Sequence, residues 1–323
     1  MIVTLAGGVG ASRFLRGLLA VVGQPSVTAV VNTGDDVVLH GLRVSPDLDT
    51  VTYALAGVAD ADQGWGLAGE SWTVMDALER FKPAAPASSA AGATWFRLGD
   101  RDLATHLYRT QRLREGVPLS EVTAEIARAF GLGCRLVPMT DDRVETRVEV
   151  HGQGEIGFQE YFVAHRHAVP VRSVRFAGAE AAQPAPGVVE AIGAADRVVI
   201  APSNPVLSIG PVLAVAAIDE AVAARREHAV AVSPIVAGAA LRGPAARLLA
   251  ELGHESSVVG VARLWAPWVA TLVVDEADAA LADAVEEEGV RCVVAPTVMR
   301  TPGDAAALAR TVVAVAGVPG TRR

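Results

Sequence analysis

Four carboxylates stand close together early in the chain: Asp35 and Asp36 in Asn32-Thr33-Gly34-Asp35-Asp36, then Asp47 and Asp49 in Ser45-Pro46-Asp47-Leu48-Asp49-Thr50. Carboxylates this close repel one another unless a cation or hydrogen-bond donors compensate them. Mg²⁺, which takes one or two carboxylates together with substrate phosphate oxygens, fits that need. The plainer reading makes Asp47 or Asp49 a helix N-cap and Asp35 a turn residue, which accounts for one of the four more readily than for all. Upstream lies Gly7-Gly8-Val9-Gly10. Glycines after a first strand let backbone amides approach a phosphate, and the next helix offers its positive end. This is not the dinucleotide fingerprint, because Arg13 stands at its third glycine and Asn32 where an acidic residue should end the second strand. Nor is it a P-loop, since no Lys follows Gly10. The alternative is a tight turn without a ligand.

Two further segments carry chemistry. Trp95-Phe96-Arg97-Leu98-Gly99-Asp100-Arg101-Asp102, followed by Leu103-Ala104-Thr105-His106, groups aromatics with a guanidinium and carboxylates. Such a set could stack on a flat heterocycle and accept its hydroxyl or amide hydrogens. Its plain reading is a helix start capped by Asp100, with Arg101 solvated and His106 on the surface. Pro202-Ser203-Asn204-Pro205-Val206-Leu207-Ser208-Ile209-Gly210-Pro211 is a stiff loop able to present hydroxyls, an amide and a helix N-terminus to a base or diphosphate, or else a rigid connection capped by Ser208. Ser233-Pro234-Ile235 echoes it after the next strand. No Gly-x-Ser-x-Gly and no HExxH occurs, and His165 and His167 alternate on an expected strand with too little around them for a metal site. What remains is phosphate, cation and a flat ring, which suggests phosphoryl or nucleotidyl chemistry without a covalent enzyme intermediate.

The elements that must position these groups read as a Rossmann-like α/β fold. Residues 2–5 form a strand, the glycine turn follows, and Leu15, Leu18, Leu19 and Val22 mark a helix. Residues 27–31 form a second strand. Later the pairs 197–201 with 209–222, 229–232 with 244–252, 272–274 with 278–288, and 291–295 with 304–315 repeat strand and helix. Strands without in/out alternation, separated by helices, imply a parallel sheet covered on both faces. Residues 60–185 read instead as an inserted, smaller α+β region. It holds a solvated low-complexity stretch at 82–93, a helix over 119–130 with Ser120 as N-cap, and strands at 143–150 and 157–164. The α/β core is then 1–59 with 186–323.

Composition excludes other classes. The 323 residues carry a formal charge of −8, which lacks the field a nucleic-acid binder needs. Cys134 and Cys292 are the only cysteines, far apart, so neither a disulfide framework nor a thiolate zinc site is expected, and a reducing cytoplasm suits them. The uncharged run 198–218 is long enough to span a membrane, but Pro202, Pro205 and Pro211 break it into strand, loop and helix. The first charged side chain, Arg13, follows the apolar start rather than preceding it as in a secretory signal.

The chain resembles the 2-phospho-L-lactate transferase family of coenzyme F420 biosynthesis, whose actinobacterial members are phosphoenolpyruvate transferases. The resemblance runs over nearly the whole length. LAGGVGASRFLRG, VVNTGDD, SPDLDT with Tyr53, GWG at Gly64–Gly66, WFRLGDRDLATHLYRT, PMTDD, FQEYFV, GVVEAI and PSNPVLSIGPVL carry it. It implies transfer of a phosphorylated three-carbon acid from a guanosine-diphosphate-activated donor to the ribityl hydroxyl of a deazaflavin alcohol, 7,8-didemethyl-8-hydroxy-5-deazariboflavin (Fo), with release of GMP. Mg²⁺ is the implied cofactor, and a cytoplasmic homodimer that binds neither membrane nor nucleic acid the implied state. Matched onto this sequence, Asp49 and Arg97, with Trp95 and Asp100, fall to the deazaflavin. Asp35 and Asp36 become candidates for the metal and, with Asp49, for catalysis. Gly8, Gly10, Asn32, Ser203, Asn204 and Ser208 would hold the nucleotide. The Ala- and Arg-rich composition matches the actinobacterial branch, hence the enolpyruvyl rather than the lactyl donor.

A sister family of non-catalytic, nucleotide-sugar-binding gluconeogenesis factors shares the opening glycines. It has no need of the WFRLGDRDLATH segment, which separates the two readings. A NAD-dependent oxidoreductase is disfavoured by Arg13.

Overall fold

The computed structural model describes residues 1–86, 89–152, 154–241 and 243–315. Seven parallel strands form the central sheet: β1 (Ile2–Ala6), β2 (Val27–Val31), Arg135–Pro138, Arg197–Ile200, Ala229–Val232, Thr271–Val274 and Arg291–Val294. Every residue of β1 and β2 is buried, which is why neither shows polar alternation. Within β1, Ile2 and Ala6 join one apolar cluster while Val3 and Leu5 join another, so each face of the sheet has its own core.

Strand order decides where a ligand can sit. β1 lies between β2 and Arg197–Ile200; from β1 the chain first builds outward through β2 and Arg135–Pro138, then returns to the other side. The two loops leaving β1 and Arg197–Ile200 diverge there, opening a crevice at the carboxyl ends of the strands. Helix α1 (Gly8–Val22) starts at that edge and packs on the last helix, Pro302–Val315. At Gly17 a Cβ would stand 2.3 Å from the Ala305 backbone, so only glycine lets the two helices approach this closely.

The middle of the chain departs from expectation in three places. Arg135–Pro138 pairs with β2 in the main sheet, so 60–185 is not wholly an insertion; Leu136 and Val137 are apolar enough to extend the sheet's buried layer. A separate antiparallel sheet is built from Glu145–Val150, Gly154–Gly157 and Val171–Ala177. Of the strand expected at 157–164 only Gly157 is strand; 158–164 are instead helical, with a π-type turn over Glu160–Ala164, and His165 and His167 lie in the turn after it rather than on a strand. Its apolar residues Phe158 and Tyr161 are three apart and share one face, a helical spacing that the short run concealed. Helix α5 (Leu119–Ala129) matches its expected span, but Ser120 bonds Asp141 rather than capping it.

Residues 87 and 88 of the low-complexity stretch lie outside the described residues. The run 198–218 divides as expected: a strand, a π-type turn at Pro205–Ile209, and helices Gly210–Leu213 and Ala216–Ala224 separated by a sharp bend. Among the described residues no single helix is long and apolar enough to cross a membrane.

Candidate active site

A cavity of about 850 Å³ opens over the crevice. Its floor is the glycine turn against the proline-rich loop. A Cβ at Gly10 would fall 2.1 Å from the Pro202 carbonyl oxygen, and one at Gly7 2.7 Å from Ser208 Cβ, so the two loops touch backbone to backbone. Gly8 takes φ +71, which glycine adopts without strain. Ser203 donates to the Gly7 carbonyl (2.9 Å). Asn204 caps the following turn by accepting from the Val206 and Leu207 amides, a role the sequence suggested for Ser208.

The carboxylates form one wall. Helix α2 (Pro46–Leu55) begins at Pro46, so Asp47 and Asp49 occupy its first turn and both are buried. Asp47 accepts from Asn32 Nδ2 (3.0 Å) and from the Gly8 amide. Asn32 is itself absent from the cavity wall: it positions Asp47 and, through Oδ1, the Gly34 amide. Asp35 lies on the wall, whereas Asp36 does not and accepts from Ser45 Oγ (2.6 Å). Asp35 Oδ1 and Asp36 Oδ1 are both buried without a hydrogen-bond partner. Burial pushes Asp36 up to about 7 and Asp47 up to about 6, and burial with the neighbouring Asp47 raises Asp35 as well. Buried carboxylates with an oxygen that no hydrogen bond reaches are a hard, all-oxygen donor set that suits Mg²⁺.

Asp49 is differently placed. Arg109, only 2% exposed, grips both of its oxygens, with Nη1 to Oδ2 at 3.1 Å and Nη2 on Oδ1, and also donates to the Arg43 carbonyl. Arg109 belongs to helix α4 (Asp102–Arg114), where Asp102, His106 and Arg109 share one face. His106 Nε2 lies 3.3 Å from Asp102 Oδ2 and Nδ1 3.7 Å from Asp49 Oδ2, and the Tyr53 hydroxyl donates to Asp102 Oδ1. Burial would raise Asp102, but hydrogen bonding and charge from His106, with Tyr53, hold it below the ordinary range. Asp49, Asp102 and His106 are close enough to share an ion, although the guanidinium already neutralises Asp49 and an imidazole suits a softer metal than Mg²⁺.

Of these, the sequence reading gave Tyr53 and Arg109 no role of their own, and it named Asp102 and His106 only within the Trp95–His106 segment, with a surface position as the plain reading of His106. His106 is 1% exposed, not a surface residue. The signal was the i, i+4 and i+3 spacing of the three polar residues on α4, which marks a shared face but not which way it points.

At this end Phe96, Arg97 and Trp65 also line the cavity. Arg97 pairs with Asp76 (2.5 Å) and sits 5.1 Å from the Trp72 ring centroid. Trp95 and Asp100 do not reach the wall. Trp95 packs edge-on against Phe96, and Asp100 accepts from Ser71 Oγ and the Thr73 and Val74 amides, capping helix α3 (Thr73–Leu78). An exposed carboxylate with three donors is held well below its usual range, in a structural role.

Fold and site together define a doubly wound α/β protein whose crevice joins a glycine cradle to buried carboxylates and flat aromatic surfaces. The model of the family described as 2-phospho-L-lactate transferase CofD matches residues 2–307, and the chain belongs to that family of transferases. It is 46% identical over 313 residues to a phosphoenolpyruvate transferase of Streptomyces griseus, covering 96% of each chain. Against the protein of the same name from Mycolicibacterium smegmatis it is 42% identical, over 98% of this chain and 99% of that one. Among solved structures, a UPF0052 family protein from Bacillus halodurans matches 97% of this chain and 98% of its own with a TM-score of 0.60 at 15% identity, which shows a shared fold.

Proposed function

We propose that the protein transfers a phosphoenolpyruvyl group from a guanosine-diphosphate-activated donor to the ribityl hydroxyl of Fo, releasing GMP, and acts as a cytoplasmic homodimer. One observation carries this reading: a single cavity holds the glycine cradle, the carboxylate wall and aromatic surfaces for flat rings. The names of the relatives, phosphoenolpyruvate transferases at 42–46% identity, favour the enolpyruvyl over the lactyl group.

In this reading the amides of Gly8 and Gly10, with Ser203, Asn204 and Ser208, hold the diphosphate. Asp35 would bind Mg²⁺ directly, and Asp36, off the cavity wall, would add its charge. The ion supplies charge neutralisation at the diphosphate. The ring of Fo lies against Phe96 and Arg97, and Asp49, paired with Arg109, accepts from the ribityl hydroxyl. The hydroxyl oxygen attacks the phosphorus next to the acid, the bond to GMP breaks, and the released proton passes to the Asp49–His106–Asp102 group. Holding both reactants in line is the main source of rate enhancement.

Mass spectrometry of the product formed from Fo with each activated donor tests this. The enolpyruvyl donor should give a phosphodiester lighter by two hydrogens than the lactyl product. Absence of any Fo phosphodiester with Mg²⁺ and both donors would remove the reading.

A further inference from the structure

The turn that carries Asp35 is held from outside the main sheet. Two of its ties are local: the Gly34 amide donates to Asn32 Oδ1 (2.8 Å) and the Asp36 amide to the Thr33 carbonyl (3.2 Å). Two come from far along the chain. The Thr146 amide donates to the Gly34 carbonyl (2.7 Å), and Gln159 Nε2 donates to the Asp35 carbonyl (3.1 Å). Thr146 lies on the strand Glu145–Val150 of the small antiparallel sheet, and Gln159 in the helical segment that follows Gly154–Gly157. The fit is close. A Cβ at Gly34 would stand 2.8 Å from both Thr146 Oγ1 and Pro211 Cβ, so glycine is what lets the strand approach the turn.

Both residues are polar where packing asks for none. On Glu145–Val150 the buried positions are Thr146, Val148 and Val150, and a valine at 146 would fill the same space without burying a hydroxyl. Gln159 is 7% exposed, follows Phe158 of an apolar cluster, and reaches the cavity wall beside Asp35. Among the described residues, Thr33 Oγ1, Asp35 Oδ1, Asp36 Oδ1 and Thr146 Oγ1 are all buried without a hydrogen-bond partner. Unpaired buried oxygens are costly, and four of them around one turn mark a place built for a ligand that gathers oxygens. Burial is the largest influence on the Asp35 carboxyl and raises its pKa; the Thr146 hydroxyl beside it acts in the opposite direction.

We propose that Gln159 and Thr146 are positioning residues for the cation, which hold the Asp35 turn so that its carboxylate meets the ion. The small antiparallel sheet, and not the main sheet alone, then sets the geometry of the metal site. Gln159 fixes the main chain at Asp35. Thr146 fixes it at Gly34 through its amide and steadies the carboxylate through its hydroxyl. Both act through Asp35 rather than on the ion. The inference rests on the reading of Asp35 as a ligand of Mg²⁺. Removing the outer partners of metal-binding groups weakens metal affinity by about 10–100-fold.

Equilibrium dialysis against Mn²⁺, with and without GDP, and fluorescence titration with Fo test this. Gln159→Met keeps the side chain's length and removes the donor; Thr146→Val removes the hydroxyl, and Thr146→Ser restores it. Gln159→Met and Thr146→Val should each weaken Mn²⁺ binding by about tenfold or more and raise the Mg²⁺ concentration for half-maximal rate to match. The Fo Kd and the kcat at saturating Mg²⁺ should stay at the wild-type values, and Thr146→Ser should bind Mn²⁺ as wild type does. If wild type binds Mn²⁺ and either Gln159→Met or Thr146→Val binds it equally well, the assignment of that residue is overturned. A fall in Fo affinity as large as the fall in Mn²⁺ affinity would likewise overturn it, since the site as a whole would then have been disturbed. Wild-type protein that retains no Mn²⁺ in either dialysis would overturn the metal reading and this inference with it.

Discussion

Replacing Arg109 by methionine tests the arrangement most directly. Arg109 and Asp49 are 2% and 5% exposed, and the guanidinium grips both carboxylate oxygens. Removing one partner of a buried pair leaves an uncompensated charge and costs about 3–5 kcal/mol. Unfolding entropy near 2 cal/mol/K per residue gives about 0.7 kcal/mol/K for 323 residues. The Arg109→Met melting temperature should therefore fall by about 4–7 °C. The lost stability should return in part in Arg109→Met/Asp49→Asn, because no buried charge is then left alone. Differential scanning calorimetry of wild type, both single variants and the double variant closes the cycle. A coupling below about 1 kcal/mol, or a single variant that melts within 1 °C of wild type, would refute the claim that Arg109 compensates Asp49.

Two further outcomes follow from the same wall and floor. Asp36 is raised by burial to about 7 in the folded protein from 3.8. The folded state therefore holds a proton that the unfolded chain has lost, so this contribution is complete below pH 4 and disappears as pH rises through 7. At 1.36 kcal/mol per pH unit, ligand-free protein should lose about 3 kcal/mol between pH 5 and 8 through this group. Denaturation of Asp36→Asn should lack that component, and Mg²⁺ at pH 8 should restore stability to wild type; a steeper pH loss in the variant would contradict it. Gly10→Ala places a methyl 2.1 Å from the Pro202 carbonyl oxygen, so the two site loops must separate. It should cost about 1–3 kcal/mol and weaken donor binding more than Fo binding; unchanged donor KM would show that the loop contact does not shape the nucleotide site.

Local sequence was enough for the parallel sheet, the glycine turn and the acidic run, because each depends on short-range pattern: unbroken apolar strands, φ-permissive glycines, and four carboxylates within fifteen residues. The family motifs likewise follow from chain order alone, from Leu5 to Leu213, and the family model matches residues 2–307. Three things lay beyond any local reading. Arg135–Pro138 joins the main sheet only because its edge beside β2 is free, a contact spanning more than a hundred residues. Trp95 and Asp100 look as apt for a ligand as Arg97, yet one packs on Phe96 and the other caps α3, since side-chain direction is set by what packs behind it. His106 reads as a surface residue and nothing local singles out Arg109, yet both became buried partners of Asp49 and Asp102 when α4 laid that face against α2. Spacing along the chain determines which residues can share a face; the burial and charge that give the face its chemistry come from the element packed opposite, and that is decided in three dimensions.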